Sequence, residues 1–183
     1  GKNYPTSDLV ERFDAVLLAC GSTDPRDLPV PGRHLDGVHF AMEYLAQQNK
    51  LIAGEYVDPA DRITAESKRV VILGGGDTGA DCLGTAHRQG AEVVHQFELL
   101  SEPPEQRTAD NPWPQWPMTL RSSAAHEEGG IRDYDILTKR LSGSNGRVEK
   151  LHAVRVDWVS SDSSRPPSME GVPGSEFEIE TEL

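Results

Sequence analysis

Gly74, Gly76 and Gly79 stand in the spacing G-x-G-x-x-G within Gly74-Gly75-Gly76-Asp77-Thr78-Gly79. That pattern does its chemistry with backbone, and the chemistry is the holding of a pyrophosphate. Gly74 permits a sharp turn where a positive φ would strain other residues. Gly76 has no side chain to keep a phosphate from the backbone, and Gly79 lets a helix lie close to the preceding strand. The free N–H groups and partial positive charge of the helix start then favour an anion. Glu98 stands about 20 residues further on, where an acidic residue can hold a ribose hydroxyl. A bare glycine pattern also occurs in structural strand–turn–helix units of unrelated α/β folds, so its surroundings decide.

Those surroundings are the elements that must position the loop. Val70-Val71-Ile72-Leu73 is a continuous apolar run of the kind a buried parallel strand needs. Asp77 to Gln89 is compatible with a helix and is stopped by Gly90. Ala91 to Phe97 predicts the next strand and carries Glu98 at its end. Upstream, Phe13 to Ala19 predicts another apolar strand, followed by a Pro-rich connector that cannot be regular helix. Val38 to Asn49 predicts a short amphipathic helix, and Leu51 to Lys68 a loop. From Leu99 to Arg132 no period emerges. Five prolines break that stretch, and Trp113 and Trp116 among them argue for a packed loop. Tyr134 to Leu141 and Val148 to Val159 alternate around the turn Ser142–Gly146, which is a hairpin signature. Ser160 to Gly174 reads as a loop, and Phe177 to Leu183 as a third antiparallel strand. The expected fold is α/β: a Rossmann-like three-layer nucleotide-binding domain carrying an antiparallel β-meander over about 134–183.

Other candidate groups carry less. Acidic residues outnumber basic ones 30 to 18, for a net charge of −12. That balance disfavours nonspecific binding to nucleic acid or to an anionic membrane. No apolar run reaches the roughly 18 residues of a membrane span. Cys20 and Cys82 are too far apart for a C-x-x-C pair and lack metal-spaced histidines. They read as small buried thiols in a reducing, cytoplasmic setting. His126-Glu127-Glu128 lacks the second histidine of H-E-x-x-H. No catalytic acid, base or nucleophile is required if a cofactor carries the chemistry.

Taken together, LACGST-DPR, VVILGGGDTGADCLGTAHRQGA, ELLSEPPEQR and NPWPQWP resemble the nicotinamide-binding half of the glutamate synthase small (beta) subunit. The string Asn111-Pro112-Trp113-Pro114-Gln115-Trp116-Pro117 is the most particular of these. The resemblance covers nearly the whole chain from about Phe13. It implies an oxidoreductase in which an NADPH-binding domain, here 37–183, is inserted into an FAD-binding domain, with 1–36 crossing between the two. Hydride would pass from NADPH to FAD, and electrons through iron–sulfur clusters to a large (alpha) subunit, for glutamate formation. By the same resemblance Gly74, Gly75, Gly76 and Gly79 contact the pyrophosphate, Asp77 and Thr78 line the helix start, and Cys20-Gly21-Ser22 crosses near FAD. The family's cysteine-rich region and first flavin loop are not in this sequence. The chain is therefore expected to be an excised central fragment, without its main FAD site, clusters or turnover alone. Its missing final strand would leave a sheet edge, for which Phe13 to Ala19 is a candidate filler. Glu98 suits NADH and repels a 2′-phosphate, whereas the family points to NADPH; Arg107, and secondarily Arg121, are the candidate partners of that phosphate. The alternatives are a related flavoprotein reductase of ferredoxin–NADP or pyrimidine-reducing type, and a non-catalytic fragment.

Overall fold

The structure, a computed structural model, describes residues 4–19, 21, 24–159 and 167–183. Its centre is a parallel sheet. Strand β1 (Arg69–Leu73) pairs with β2 (Val93–Phe97), and β2 with β3 (Ile131–Asp133). Val70 lies opposite Val94, Ile72 opposite Gln96, and Phe97 opposite Asp133. Because side chains alternate between the two faces of a strand, Val70 and Val94 point to one side of the sheet and Val71 and Phe97 to the other.

The first side is covered by helices α2 (Ala41–Ile52) and α3 (Asp77–Arg88). Tyr44, Ala65, Val70, Cys82, Leu83, Ala86 and Val94 form that core. Gln89 fastens the helices at their polar ends. Its Oε1 accepts from the Tyr44 hydroxyl at 2.9 Å and from the Ala65 N–H at 2.7 Å. The second side is covered by an antiparallel sheet. Strand β4 (Ile136–Ser144) pairs with the long β5 (Arg147–Val159). Two short strands share the other edge of β5, β6 (Ser168–Gly171) at Val156–Val159 and β7 (Phe177–Glu180) at Lys150–Ala153. Phe97, Ile136, Leu141, Val148, Leu151 and Ala153 fill the layer between the sheets, with the Phe97 and Phe177 rings edge to face. The result is the expected three-layer α/β arrangement with a meander.

Four expectations need correction. Phe13 to Ala19 is not a strand: it is irregular and exposed, with Leu17 90% accessible. A run of apolar residues becomes a parallel strand only beside other strands, and this run pairs with none among the described residues. It follows a short exposed helix, α1 (Thr6–Arg12), that no period announced. Nor does it fill the open edge of β1. The chain end does so: Glu182 N–H donates to Arg69 O and Val71 N–H to Leu183 O, both at 2.9 Å. Phe177–Leu183 is therefore two things, an antiparallel strand to Glu180 and a crossing at buried Thr181 back to the parallel sheet. Arg69 secures that crossing through ion pairs to Glu180 and Glu182. Finally, the stretch read as loop from Ser160 to Gly174 contains β6, whose sequence Ser-Met-Glu-Gly lacks the alternation that marks strands.

Residues arriving at the domain meet the same region. Leu141 N–H donates to Pro31 O at 2.8 Å, and Asp36 is held between Gly146 and Val148. At Gly37 a Cβ would stand 2.7 Å from Glu182 O, so glycine is required there for the close approach of the two passing segments.

Candidate functional site

The glycine loop joins β1 to α3 at the C-terminal end of the parallel strands, the usual place for ligands in open α/β sheets. Gly74 has φ +123°, a conformation that L side chains rarely adopt. Its N–H donates to Phe97 O at 2.8 Å, which holds the turn to β2. Gly76 is the N-cap of α3, extended at φ −78°, and no side chain caps the helix. A Cβ at Gly76 would meet nothing within 4 Å, so the loop is open to solvent on the face where a ligand would lie. Gly79 is the opposite case. A Cβ there would stand 2.3 Å from Gly74 O and 2.7 Å from Gln96 Nε2, so α3 packs on the loop only because the side chain is absent. Asp77 and Thr78 form the first turn of α3, with Asp77 placing a carboxylate beside the helix start.

Glu98 follows β2 and turns back onto the loop. Its Oε2 accepts from the Gly75 N–H at 2.6 Å and its Oε1 from the Leu100 N–H at 3.1 Å. A Cβ at Gly75 would lie 2.9 Å from Oε2, so the second glycine makes room for this carboxylate. The side chain thus stands at the loop, as its position in sequence requires, and both its oxygens already accept backbone bonds.

The long connection from β2 to β3 is ordered by polar hubs. Arg107 Nη1 donates to Asn111 O at 3.0 Å and to Gln115 O at 2.9 Å. Asn111 donates to Trp116 O at 3.0 Å and accepts from the Met118 N–H at 2.8 Å. The tryptophans do not pack the loop: Trp113 is 83% and Trp116 70% exposed. Arg121, the secondary phosphate candidate, lies over the Trp116 ring at 4.3 Å. The connection then forms the short helix α4 (Ala124–Glu127), which crosses α3 where Gly84 approaches Ala125. Gly21 has φ +67° with open space around it, and Cys20 and Ser22 lie outside the described residues. Among the described residues, the open turn at Gly74–Gly76 and the uncapped start of α3 lie together at the end of the parallel strands.

One buried polar residue at the site had no place in the sequence reading. Gln96 is 2% exposed on the helix side of β2. Its Nε2 donates to Gly74 O at 2.9 Å, and its Oε1 is 3.0 Å from His126 Nε2. The visible signal was a glutamine inside an otherwise buried strand, which must find partners. Cys82, by contrast, is a plain core thiol on α3, its pKa pushed up to about 12 by burial and by Asp81. Among the described residues no group of three His, Cys, Asp or Glu is placed to hold a metal ion. Among the described residues no helix is long and apolar enough to cross a membrane.

A glycine turn at the C-terminal ends of a parallel sheet, in a three-layer α/β arrangement, is the architecture of nucleotide-binding domains. The profile of the pyridine nucleotide-disulphide oxidoreductase family matches residues 6–116, and the chain belongs to that family of oxidoreductases. It is 50% identical, over its whole length, to the glutamate synthase [NADPH] small chain of Mycobacterium tuberculosis (strain ATCC 25618 / H37Rv), spanning 37% of that protein. It is 41% identical, again over its whole length, to the glutamate synthase [NADH] of Saccharomyces cerevisiae, of which it spans 9%. Mycobacterium tuberculosis FprA, solved in complex with NADPH, shares the fold at a TM-score of 0.61 and 17% identity, over 97% of this chain and 50% of that one. The chain thus spans little more than a third of the Mycobacterium tuberculosis small chain.

Proposed function

We propose that this chain is the NADPH-binding portion of a glutamate synthase small subunit. The observation that carries this reading is the uncapped start of α3 beside Gly76, where nothing stands within 4 Å of an added Cβ. Gly74 to Gly79 hold the pyrophosphate, with the N–H groups of Gly76, Asp77 and Thr78 directed to it. Glu98 accepts from a ribose hydroxyl, and Arg107 pairs with the 2′-phosphate through the guanidinium edge not used on Asn111 and Gln115. Two N–H donors already share the Glu98 charge, which reduces its repulsion of a 2′-phosphate and makes NADPH compatible with a carboxylate in that position. NADH remains the competing ligand, since the names of the relatives divide between the two.

Bound NADPH supplies a hydride, and the part played by this chain is to hold and orient the dinucleotide. In the whole enzyme the hydride would pass to FAD, held mainly by parts outside this chain, with Gly21 proposed on the segment leading toward it. Electrons then serve glutamate synthesis on a large subunit.

Titration of the purified chain with NADPH and NADH, followed by tryptophan emission, tests the reading, because Trp113 and Trp116 are exposed on the connecting loop. Saturable binding is expected, with NADPH favoured. No saturation by either nucleotide refutes the site. Arg107→Ala is expected to weaken NADPH by about tenfold or more, as for a lost hydrogen bond to a charged group, and NADH much less. Equal loss for both refutes the role given to Arg107.

A further inference from the structure

His126 lies outside the glycine loop and touches no position assigned to a nucleotide, yet it is connected to the loop through a single side chain. Its Nδ1 is 3.0 Å from the Ser123 backbone nitrogen, which can only donate. Nδ1 is therefore the unprotonated nitrogen and Nε2 carries the proton. The Nε2–H donates to Gln96 Oε1 at 3.0 Å. That fixes the orientation of the Gln96 amide, whose NH2 donates to Gly74 O at 2.9 Å. Each bond in the series forces the sense of the next: Ser123 N–H to His126, His126 N–H to Gln96, Gln96 N–H to Gly74. Gln96 is 2% exposed, so it has no water to replace a lost partner. Gly74 is the residue at φ +123°, and its carbonyl is also the atom against which Gly79 packs.

We propose that His126 is a positioning residue for the nucleotide loop: as a neutral imidazole it holds the Gln96 amide in the one orientation that restrains the Gly74 carbonyl, and its protonation releases the loop. This proposal rests on the reading of Gly74–Gly79 as the dinucleotide site. A proton on Nδ1 would face the Ser123 N–H, donor against donor, and its one acceptor within reach is the Ser123 hydroxyl at 3.1 Å, so on protonation the backbone cap of α4 is lost and the ring must shift toward that hydroxyl, away from its present bond to Gln96. Burial, and then the charge of Arg132 on β3, favour the neutral ring. The remaining charged or titratable groups around α4 are Glu127 and Glu128 on the helix itself, and Arg88 and His87 of α3. Arg88 is paired with Glu128, and His87 lies beside Gly129 and Gly130. Nucleotide affinity should accordingly be retained at neutral pH and fall as His126 takes up a proton on acidification.

The test uses two variants and two readouts. His126→Gln retains a donor near the position of Nε2 but cannot titrate; His126→Ala removes the donor. NADPH affinity is measured between pH 5 and 8 for the parent chain and both variants. The parent is expected to lose affinity toward acid. His126→Gln should bind as the parent does at pH 8 and lack the acid step. His126→Ala should be about three- to tenfold weaker throughout, the range for one net hydrogen bond. Equal behaviour of the two variants, or an acid step that persists in His126→Gln, overturns the proposal. The second readout needs no nucleotide: the amide resonances of Gly74, Gly75 and Gly76 are followed by NMR against pH alongside the His126 ring signals. They should move with the ring titration in the parent and not in His126→Gln. If they do not track it in the parent, the relay is wrong. If they track it while no nucleotide binds, the relay stands and the assignment of the ligand fails.

Discussion

Gly76→Ala and Gly79→Ala add the same methyl group three residues apart, and the structure gives them opposite consequences. At Gly79 the new carbon would stand 2.3 Å from Gly74 O and 2.7 Å from Gln96 Nε2. Ordinary contact begins near 3.4 Å, so α3 and the loop must separate by about 1 Å. Neither neighbour can yield cheaply, because one is backbone at φ +123° and the other a buried amide. Overpacking of this kind costs about 1–3 kcal/mol, and the strained Gln96 bond adds about 1 kcal/mol. For a domain of this size that is a fall in Tm of roughly 4–16 °C. At Gly76 the carbon meets nothing, and the backbone is already in the extended region open to alanine. Loss of the preferred glycine cap costs about 0.5–1 kcal/mol, which the lower entropy of the unfolded chain offsets by about 0.4–1 kcal/mol. Stability should hardly change. The methyl nevertheless stands where a pyrophosphate must approach, so affinity should fall by about tenfold or more, equivalent to ~1.4 kcal/mol. Thermal melts and nucleotide titrations of both variants give the assay. A Gly76→Ala chain that binds NADPH as the parent does would refute the placement of the pyrophosphate. A Gly79→Ala chain with an unchanged Tm would refute the account of the helix–loop contact.

Two further outcomes follow from the crossing and the core. The guanidinium of Arg69 holds the Glu182 carboxyl below its usual range, so this pair contributes stability in full above about pH 4.5, lost as pH falls through the depressed value. Because the carboxylate is partly exposed, Glu182→Gln should cost no more than about 1 kcal/mol at pH 7. It should also flatten the stability curve below pH 5; an unaltered curve in denaturant titrations would remove the pair from the account. In a Cys20→Ser background, Cys82 should not react with a thiol reagent at pH 8 until denaturant is added, because burial keeps the thiol protonated. Prompt labelling of the native chain would show that α3 opens locally.

The strand–turn–helix and its glycines were legible because each residue type there answers a local demand. Val70 to Ile72 must be covered on both faces, Gly74 must take a positive φ, and Gly79 must accept close packing. The hairpin was equally plain from the alternation in β4 and β5. What escaped depends on contacts remote in sequence. Phe13 to Ala19 has the composition of a strand, but pairing is a property of neighbours, and the described residues supply none. The seat of Glu182 and Leu183 on β1 follows from where Thr181 turns, and alternation continues unchanged through that turn. His126 was dismissed on the spacing of metal ligands, a question unrelated to what it does. Its partner Gln96 lies 30 positions away and could be suspected only as a polar residue that a buried strand must satisfy.

The passing of residue 37 against residue 182 has a consequence for how such a unit can be carried. The incoming and outgoing segments are in van der Waals contact, closely enough that Gly37 tolerates no side chain. A polypeptide that leaves its own fold to make this domain therefore returns to almost the point of departure. Opening a surface loop of a host protein to admit residues 37–182 would leave the ends of that loop where they were. The loop-closure entropy of the host would then be almost unchanged, because the graft closes its own gap. Transplanted between two surface residues of an unrelated scaffold, the domain should let that scaffold keep its stability.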